Sequence, residues 1–359
     1  MDLSDYTPTP DLSRATTLPA RWYVAPEFLA LEKEKIFRRT WQQAGYLSHV
    51  ARPGDFFTCD VAGEPLIVLR DASGKLRAMS NVCRHRASTI ASGHGNCSVL
   101  RCPYHGWTYS LDGRLQGQPE FEGVNDWVRS EVSLPDFRID TWGPFVFVNL
   151  DPVAPPLAEV LGEIPANIGK LGCDLSKLQY FDRRDYIINC NWKVYIDNYL
   201  EGYHVPAAHP GLLRELDYKR YRVDTYRYYS SHYAPLRTET GADRRYASPT
   251  AGASALYYWI FPNFMLNIYP DNMSSNIILP LDHDRTLTVF EWFFDPAGDP
   301  DAPAKTIAFS DEIQQEDIRL CEAVERGLHS RTYDRGRFSV KRENGVHHFH
   351  LLLHEFLTR

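Results

Sequence analysis

The sequence predicts an α+β protein in two parts, a small all-β domain over residues 41–150 and a larger α+β domain with an antiparallel sheet over residues 151–359. Three observations carry this. Strand-length apolar runs recur between Trp41 and Leu150, among them Asp55–Val61, Pro65–Arg70, Leu76–Ser80 and Phe145–Asn149, with turn signals such as Ala62-Gly63 and Asp112-Gly113 between them. The Pro-rich connector Asp151-Pro-Val-Ala-Pro-Pro156 then marks a boundary. Beyond it, strand-like runs (Ala255–Phe261, Ser275–Pro280, Thr286–Phe294) mix with helical stretches at Asn191–His204 and from Lys305 to about Leu328. Residues 1–40 read as a Pro/Thr-rich arm followed by a helix from Pro26 to Phe37, Pro26 suiting a helix first turn.

Composition narrows the function. The chain has 359 residues, 43% hydrophobic and 24% charged, enough for a substantial core. A net charge of −7 argues against nucleic acid or an anionic membrane as the main partner. No apolar run approaches the roughly 20 residues of a membrane span. Met1-Asp-Leu-Ser-Asp lacks a signal-peptide pattern, which predicts a cytoplasmic protein. Seven cysteines, odd and sparse, do not suit a disulfide framework.

The first cluster is Cys83-Arg84-His85 with Cys102-Pro103-Tyr104-His105. Two thiolates and two imidazoles suit zinc or an iron–sulfur cluster. Zinc fingers commonly place both Cys before both His, whereas here each half offers one of each. The pattern resembles the Rieske motif, which implies a [2Fe–2S] cluster with Cys83 and Cys102 on one iron and His85 and His105 on the other. Gly93, Gly95 and Gly106 would permit tight loops. Cys97, between the halves, reads as a small packed thiol.

The second cluster follows Asn191-Trp192-Lys193. On a continuous helix Asp197, Glu201 and His204 share one face. Pro206 predicts a helix end near His204, leaving His209 on a turn that can swing back toward it. Two His await a carboxylate, completing the facial triad of non-haem iron(II) oxygenases. Among Asp311, Glu312, Glu316 and Asp317, the last falls inside the apolar stripe Ile313, Leu320, Cys321, Val324, Leu328. A carboxylate on a buried face needs a partner, and a metal is a good one.

Residues 41–350 resemble the alpha (terminal oxygenase) subunit of a Rieske non-haem iron oxygenase, through Asn191-Trp192-Lys193, the His204/His209 pair and the Glu316-Asp317 segment. The resemblance implies a helix-grip-like catalytic domain, with the N-terminal arm and helix packed on it. It implies mononuclear Fe(II) on His204, His209 and Asp317, and a bridging acid, Glu201, between this iron and a neighbouring protomer's Rieske centre. Asp197, on the same face, is a second catalytic candidate. A head-to-tail homotrimer follows, with His85 or His105 of one subunit facing Glu201 of the next. Electrons would come from a separate flavin/iron–sulfur reductase or a ferredoxin. NAD(P)H is then used only indirectly, since Gly93-His-Gly95 lacks the strand-to-helix setting of a nucleotide fingerprint.

Glu201-Gly202-Tyr203-His204 resembles the branch containing choline monooxygenase and the enzymes of carnitine, glycine betaine and stachydrine, with Glu325 where much of that branch carries Gln. The substrates implied are O₂ and a small quaternary ammonium compound, hydroxylated or N-demethylated. Aromatic residues such as Tyr195, Tyr199, Tyr257, Tyr258 and Tyr269 could cage such a cation. Alternatives are an aromatic carboxylate, held by arginines such as Arg214, Arg237 or Arg244, a Rieske electron carrier without oxygenase activity, and a structural zinc protein. His347, His348 and His350 read as structural or surface residues.

Overall fold

The computed structural model describes residues 2–170, 173–237, 254–269 and 272–359. They divide into two compact units, one of residues 37–157 and one of residues 1–36 with 158–359. The Pro-rich connector lies within the smaller unit, not at the start of the larger. Trp41 Nε1 donates to Pro155 O at 2.9 Å, and an Arg138 N–H donates to Ala154 O.

The smaller unit holds ten strands: β1 (Gln42–Tyr46), β2 (Asp55–Val61), β3 (Glu64–Arg70), β4 (Leu76–Ser80), β5 (His94–Asn96), β6 (Leu100–Arg101), β7 (Thr108–Tyr109), β8 (Leu115–Gly117), β9 (Asp136–Trp142) and β10 (Phe145–Asn149). Seven form an antiparallel sheet in the order β1-β10-β9-β4-β3-β2-β5, and β6-β7-β8 form a second. Strand β3 is buried on both faces, so its alternating side chains serve two cores. Leu66 and Val68 join Val50, Phe57, Val146 and Val148. Ile67 and Leu69 join Met79, Trp107 and Tyr109 around the two cysteines Cys83 and Cys102.

Among its described residues the larger unit has a seven-stranded antiparallel sheet, with β11 (Gln179–Ile188), β12 (Arg222–Thr225), β13 (Tyr229–Pro235), β14 (Ser254–Ile260), β15 (Phe264–Ile268), β16 (Asn272–Pro280) and β17 (Thr286–Phe294). Strands β12 to β17 form a meander, and β11 closes it along β17. The long helix Ala302–Leu328 and the C-terminal helix Asn344–Thr358 belong to the same unit. The expectation of an all-β part beside an α+β part therefore holds. Among the described residues no helix is long and apolar enough to cross a membrane.

Two local expectations change. The first-turn proline Pro26 starts a helix that ends at Glu32 and widens into a π-type turn over Lys33–Phe37. On the long helix, Leu320 and Val324 are exposed, while Ile307, Gln314, Cys321, Glu325 and Leu328 face inward. Polar Gln314 and Glu325 occupy buried positions because hydrogen bonds satisfy them, and hydrophobicity alone misses such positions.

Asn191-Trp192-Lys193 begins the helix Trp192–Tyr199. The Asn191 side chain caps it, accepting from Lys193 N at 3.0 Å, while its Nδ2 donates to Tyr23 O at 2.8 Å. Lys193 Nζ meets Glu32 Oε1 at 2.5 Å, and Trp192 Nε1 donates to Glu32 Oε2 at 2.7 Å. Glu32 and Lys193 are both buried. Burial raises the Glu32 pKa, and Lys193 and Trp192 pull it part of the way back. Removing one member of a buried ion pair leaves the other uncompensated, so Lys193→Met is expected to destabilise the larger unit by about 3–5 kcal/mol. Denaturant unfolding checks this, and a loss below about 1 kcal/mol would show that Glu32 is not held as an ion.

Candidate metal centres and active site

Cys83 and Cys102 sit on two loops closed alike. Cys83 N donates to Ser88 O at 2.9 Å, and Cys102 N donates to Trp107 O at 2.8 Å. Each cysteine carbonyl also accepts an N–H at 3.1 Å from four residues on, Ala87 in one loop and Gly106 in the other. These two residues share a positive φ, 59° and 72°, which Gly106 adopts freely and Ala87 against its Cβ. Gly93 also has positive φ, but Gly95 lies within β5, where a Cβ would come 3.2 Å from the Phe56 ring.

Both thiols are buried, and each lies within hydrogen-bonding reach of the other. His85 Nδ1 and His105 Nδ1 are 3.1 Å apart, with the His85 ring stacked 4.8 Å from Trp107. Two facing thiols beside two facing imidazole nitrogens fit a cluster held by Cys on one side and His on the other. Burial pushes the Cys83 thiol up. At Cys102 the backbone N–H groups and the Cys83 contact outweigh burial, so that thiol falls below its ordinary value.

Tyr109 contributes a further contact. Its hydroxyl accepts Arg84 N–H at 3.0 Å and lies 3.3 Å from Cys83 Sγ. A hydrogen bond to a ligand sulfur stabilises the reduced, more negative cluster. One such bond is about 1 kcal/mol, so Tyr109→Phe is expected to lower the Rieske potential by roughly 40 mV. Redox titration followed by EPR checks it, and an unchanged potential would remove Tyr109 from the tuning of this site.

The second cluster forms where the chain breaks from helix. The helix ends at Tyr199, not near His204. Glu201 captures the next turn, with Oε2 accepting the Tyr203 and His204 N–H groups in competition with helix continuation. Helical turns resume at Val205–Ala208 and Pro210–Glu215, each with proline near its start, where a missing N–H costs nothing.

The breaks bring three atoms together. His209 Nε2 lies 3.1 Å from His204 Nε2 and 3.0 Å from Asp317 Oδ1, and His204 Nε2 lies 3.7 Å from the same oxygen. Bonds of ~2.1 Å at right angles would space three ligands roughly 3 Å apart, so the set fits one octahedral face. Each imidazole is oriented from behind by a carboxylate. Glu201 Oε1 is 2.5 Å from His204 Nδ1, and Glu316 Oε2 is 2.7 Å from His209 Nδ1. Asn198 Nδ2 donates to Asp317 Oδ1 at 2.8 Å. Burial pulls the His209 pKa down, but Asp317 and Glu316 outweigh it and leave it raised.

Asp197 does not join this group. Its carboxylate accepts from Tyr23 Oη at 2.6 Å and from His350 Nε2 at 3.0 Å. Leu18 N–H donates to His350 Nδ1 at 3.2 Å, which places the imidazole proton on Nε2. The shared face of residues 197, 201 and 204 required a continuous helix. The early end carries Glu201 and His204 off that face and leaves Asp197 as an anchor between the arm and the C-terminal helix. His347 and His350 are buried there, His347 Nε2 contacting Thr9 O at 2.8 Å.

A cavity of about 130 Å³ opens beside His204, His209 and Asp317. Its sheet wall follows strand register. Tyr257, Asn267, Ser274 and Trp292 are successive cross-strand partners on β14 to β17, with Asn276 and Phe290 paired in a further row. Tyr195 and Tyr199 face it from the site helix, and Gln314 braces the long helix through Tyr195 Oη (2.6 Å) and Thr288 Oγ1 (3.2 Å). Among the described lining residues there is no Lys or Arg. Arg214 and Arg237 are exposed and outside the cavity, and Arg244 lies outside the described residues. Sequence reasoning missed Asn198, Gln314 and the orienting role of Glu316. Their significance depends on which distant group they face, and no local pattern carries it.

Comparison with known proteins finds both domains in one family. Residues 40–128 match the Rieske [2Fe-2S] domain, and residues 175–359 match the catalytic domain of ring hydroxylating alpha subunits. The chain is 39% identical over 368 residues to choline monooxygenase, chloroplastic, of Arabidopsis thaliana, covering 99% of this chain and 86% of that protein. It is 30% identical over 357 residues to the carnitine monooxygenase oxygenase subunit of Escherichia coli (strain K12), covering 94% and 93%. A quaternary ammonium Rieske monooxygenase, solved for insight into carnitine oxidation by gut microbiota and inter-subunit electron transfer, superposes with a TM-score of 0.86 at 28% identity, covering 96% of each chain. The chain therefore belongs to the Rieske non-haem iron oxygenases, as an alpha subunit that pairs a [2Fe–2S] domain with a mononuclear iron domain.

Proposed function

We propose that this protein is the terminal oxygenase that uses O₂ and reductase-supplied electrons to hydroxylate or N-demethylate a quaternary ammonium compound of the choline, carnitine, glycine betaine or stachydrine type. When bound, the two iron centres supply single electrons and oxygen activation. Cys83, His85, Cys102 and His105 would hold the first, and His204, His209 and Asp317 the second. The observation that carries the substrate reading is the cavity itself. It brings tyrosine, phenylalanine and tryptophan rings beside the candidate iron ligands, with no Lys or Arg among its described residues. The rings favour a quaternary ammonium head group, which an aromatic carboxylate lacks. Relatives named for choline and carnitine support the same reading.

In this reading Glu201 is the bridge to a neighbouring subunit's Rieske histidines in a homotrimer. Inter-subunit electron transfer in the solved relative supports that role. A separate flavin/iron–sulfur reductase, with or without a ferredoxin, draws on NAD(P)H. The designation "oxygenase subunit" in the carnitine relative supports a separate partner. A cytoplasmic setting is part of this reading. Oxygen uptake with a surrogate reductase tests the proposal. Uptake with formaldehyde or hydroxylated product is expected from quaternary amines and not from aromatic acids, and the reverse ranking would overturn it.

A further inference from the structure

Tyr221 lines the cavity, yet neither iron centre uses it. It follows the turn Tyr218–Arg220 and is buried. Three contacts fix its position. Its hydroxyl lies 2.8 Å from His232 Nδ1, and His232 Nε2 in turn lies 3.2 Å from Ser230 Oγ. Both His232 and Ser230 are fully buried on β13. Burial pulls the His232 pKa down to about 3, so the imidazole behind the ring is neutral at working pH. The Tyr221 carbonyl accepts from Arg342 Nη1 at 3.0 Å.

The third contact is Gly202. A Cβ at this position would fall 2.7 Å from Cε1, 2.9 Å from Cζ and 3.0 Å from Cδ1 of Tyr221. Gly202 does not have positive φ, so its backbone would accept alanine. What excludes a side chain there is the Tyr221 ring. The motif Glu201-Gly202-Tyr203-His204 thus gives up a side chain to let an aromatic ring lie against the segment that carries Glu201 and His204.

We propose that Tyr221 is a positioning and specificity residue, a fixed aromatic wall for the substrate's ammonium head group, set in place by His232 behind it and Gly202 beneath it. This rests on the quaternary-ammonium reading above. A ring attracts a cation through its face within about 6 Å, and the gain grows when water is excluded. A ring already held by its hydroxyl loses little rotamer freedom when the ligand arrives. Burial first, then Tyr257 and Glu201 nearby, hold the Tyr221 pKa well above its ordinary value, so the ring stays neutral.

The test uses the iron-loaded enzyme, a surrogate reductase and two probes, choline and its uncharged isostere 3,3-dimethylbutan-1-ol. Tyr221→Leu is expected to raise KM for choline about ten-fold while changing kcat and the KM of the neutral alcohol less than about two-fold. Gly202→Ala, which displaces the ring, is expected to raise the choline KM in the same direction, and to add nothing in a Tyr221→Leu background. Tyr221→Phe keeps the ring, removes the His232 bond and is expected to show a smaller rise. Wild-type iron content in each variant confirms that both centres are filled, and Tyr221→Phe serves where the leucine variant does not fold. Equal rises for choline and the neutral alcohol, or a choline KM unchanged in both Tyr221→Leu and Gly202→Ala, would overturn the assignment. A wild-type enzyme that turns over aromatic acids but no quaternary amine would instead overturn the underlying substrate reading, and this proposal with it.

Discussion

Asp317→Ala is expected to strip the mononuclear site of iron and leave the [2Fe–2S] centre intact. Asp317 Oδ1 is the only carboxylate oxygen among the described residues that groups with both His204 Nε2 and His209 Nε2 as a candidate ligand set. Alanine leaves two imidazoles to hold the metal, with one corner of the face open. Loss of an orienting partner behind a ligand typically costs 10–100-fold in affinity or activity, and loss of the ligand itself should exceed about 100-fold. Iron content should fall from about three atoms per chain to about two, with the EPR signal of the reduced cluster unchanged. Full iron retention would remove Asp317 from the triad. It would point to Glu316, whose carboxylate is already 2.7 Å from His209 Nδ1, as the carboxylate to test next.

The second large effect is expected at Glu201. Its Oε1 holds His204 Nδ1, and its Oε2 holds two backbone N–H groups. Glu201→Ala would therefore disturb the ligand His204 as well as any bridge, and lost activity could come from either. Glu201→Gln removes the negative charge and keeps one acceptor oxygen for His204 Nδ1, while its NH2 cannot accept the two backbone N–H groups, so iron content is read beside turnover. The expected result is normal iron content in both centres with turnover down at least about 100-fold. In a single-turnover experiment, electron transfer from the reduced cluster should slow by the same factor. Near-normal coupled turnover with both sites filled would count against the bridging role.

Both expectations depend on how this chain departs from regular helix. A continuous helix from Asn191 to His204 would have kept Asp197, Glu201 and His204 on one face and left His209 to reach it by a turn alone. Instead, Glu201 ends the helix locally, and two proline-started turns aim both imidazoles at the long helix. Asp197 then serves as an anchor for Tyr23 and His350. The buried Glu32–Lys193 pair fixes the start of the same helix. The candidate ligands His204 and His209 therefore follow directly on a helix anchored at its start, which helps a metal site keep its geometry before the metal binds.

The sequence alone pointed to the candidate ligands, because coordination chemistry restricts them to a few residue types and both candidate motifs are largely local. Cys83-Arg84-His85, Cys102–His105 and His204…His209 lie within short stretches, and Asp317 stood out as an acid among apolar helix neighbours. It also determined the two-part α+β plan, since strand and helix periods show in single segments. Tertiary structure decided what depends on distant partners. Leu320 and Val324 belonged to the apparent apolar stripe yet face outward, while Gln314 and Glu325 face inward because Tyr195, Thr288 and Asn191 satisfy them. Asp197 changed role because its partners come from residues 23 and 350. Gly202 reads as an ordinary flexible residue until the Tyr221 ring is seen against it. Hydrogen bonding and close packing join residues across the chain, and a pattern read one segment at a time holds no record of which groups will meet.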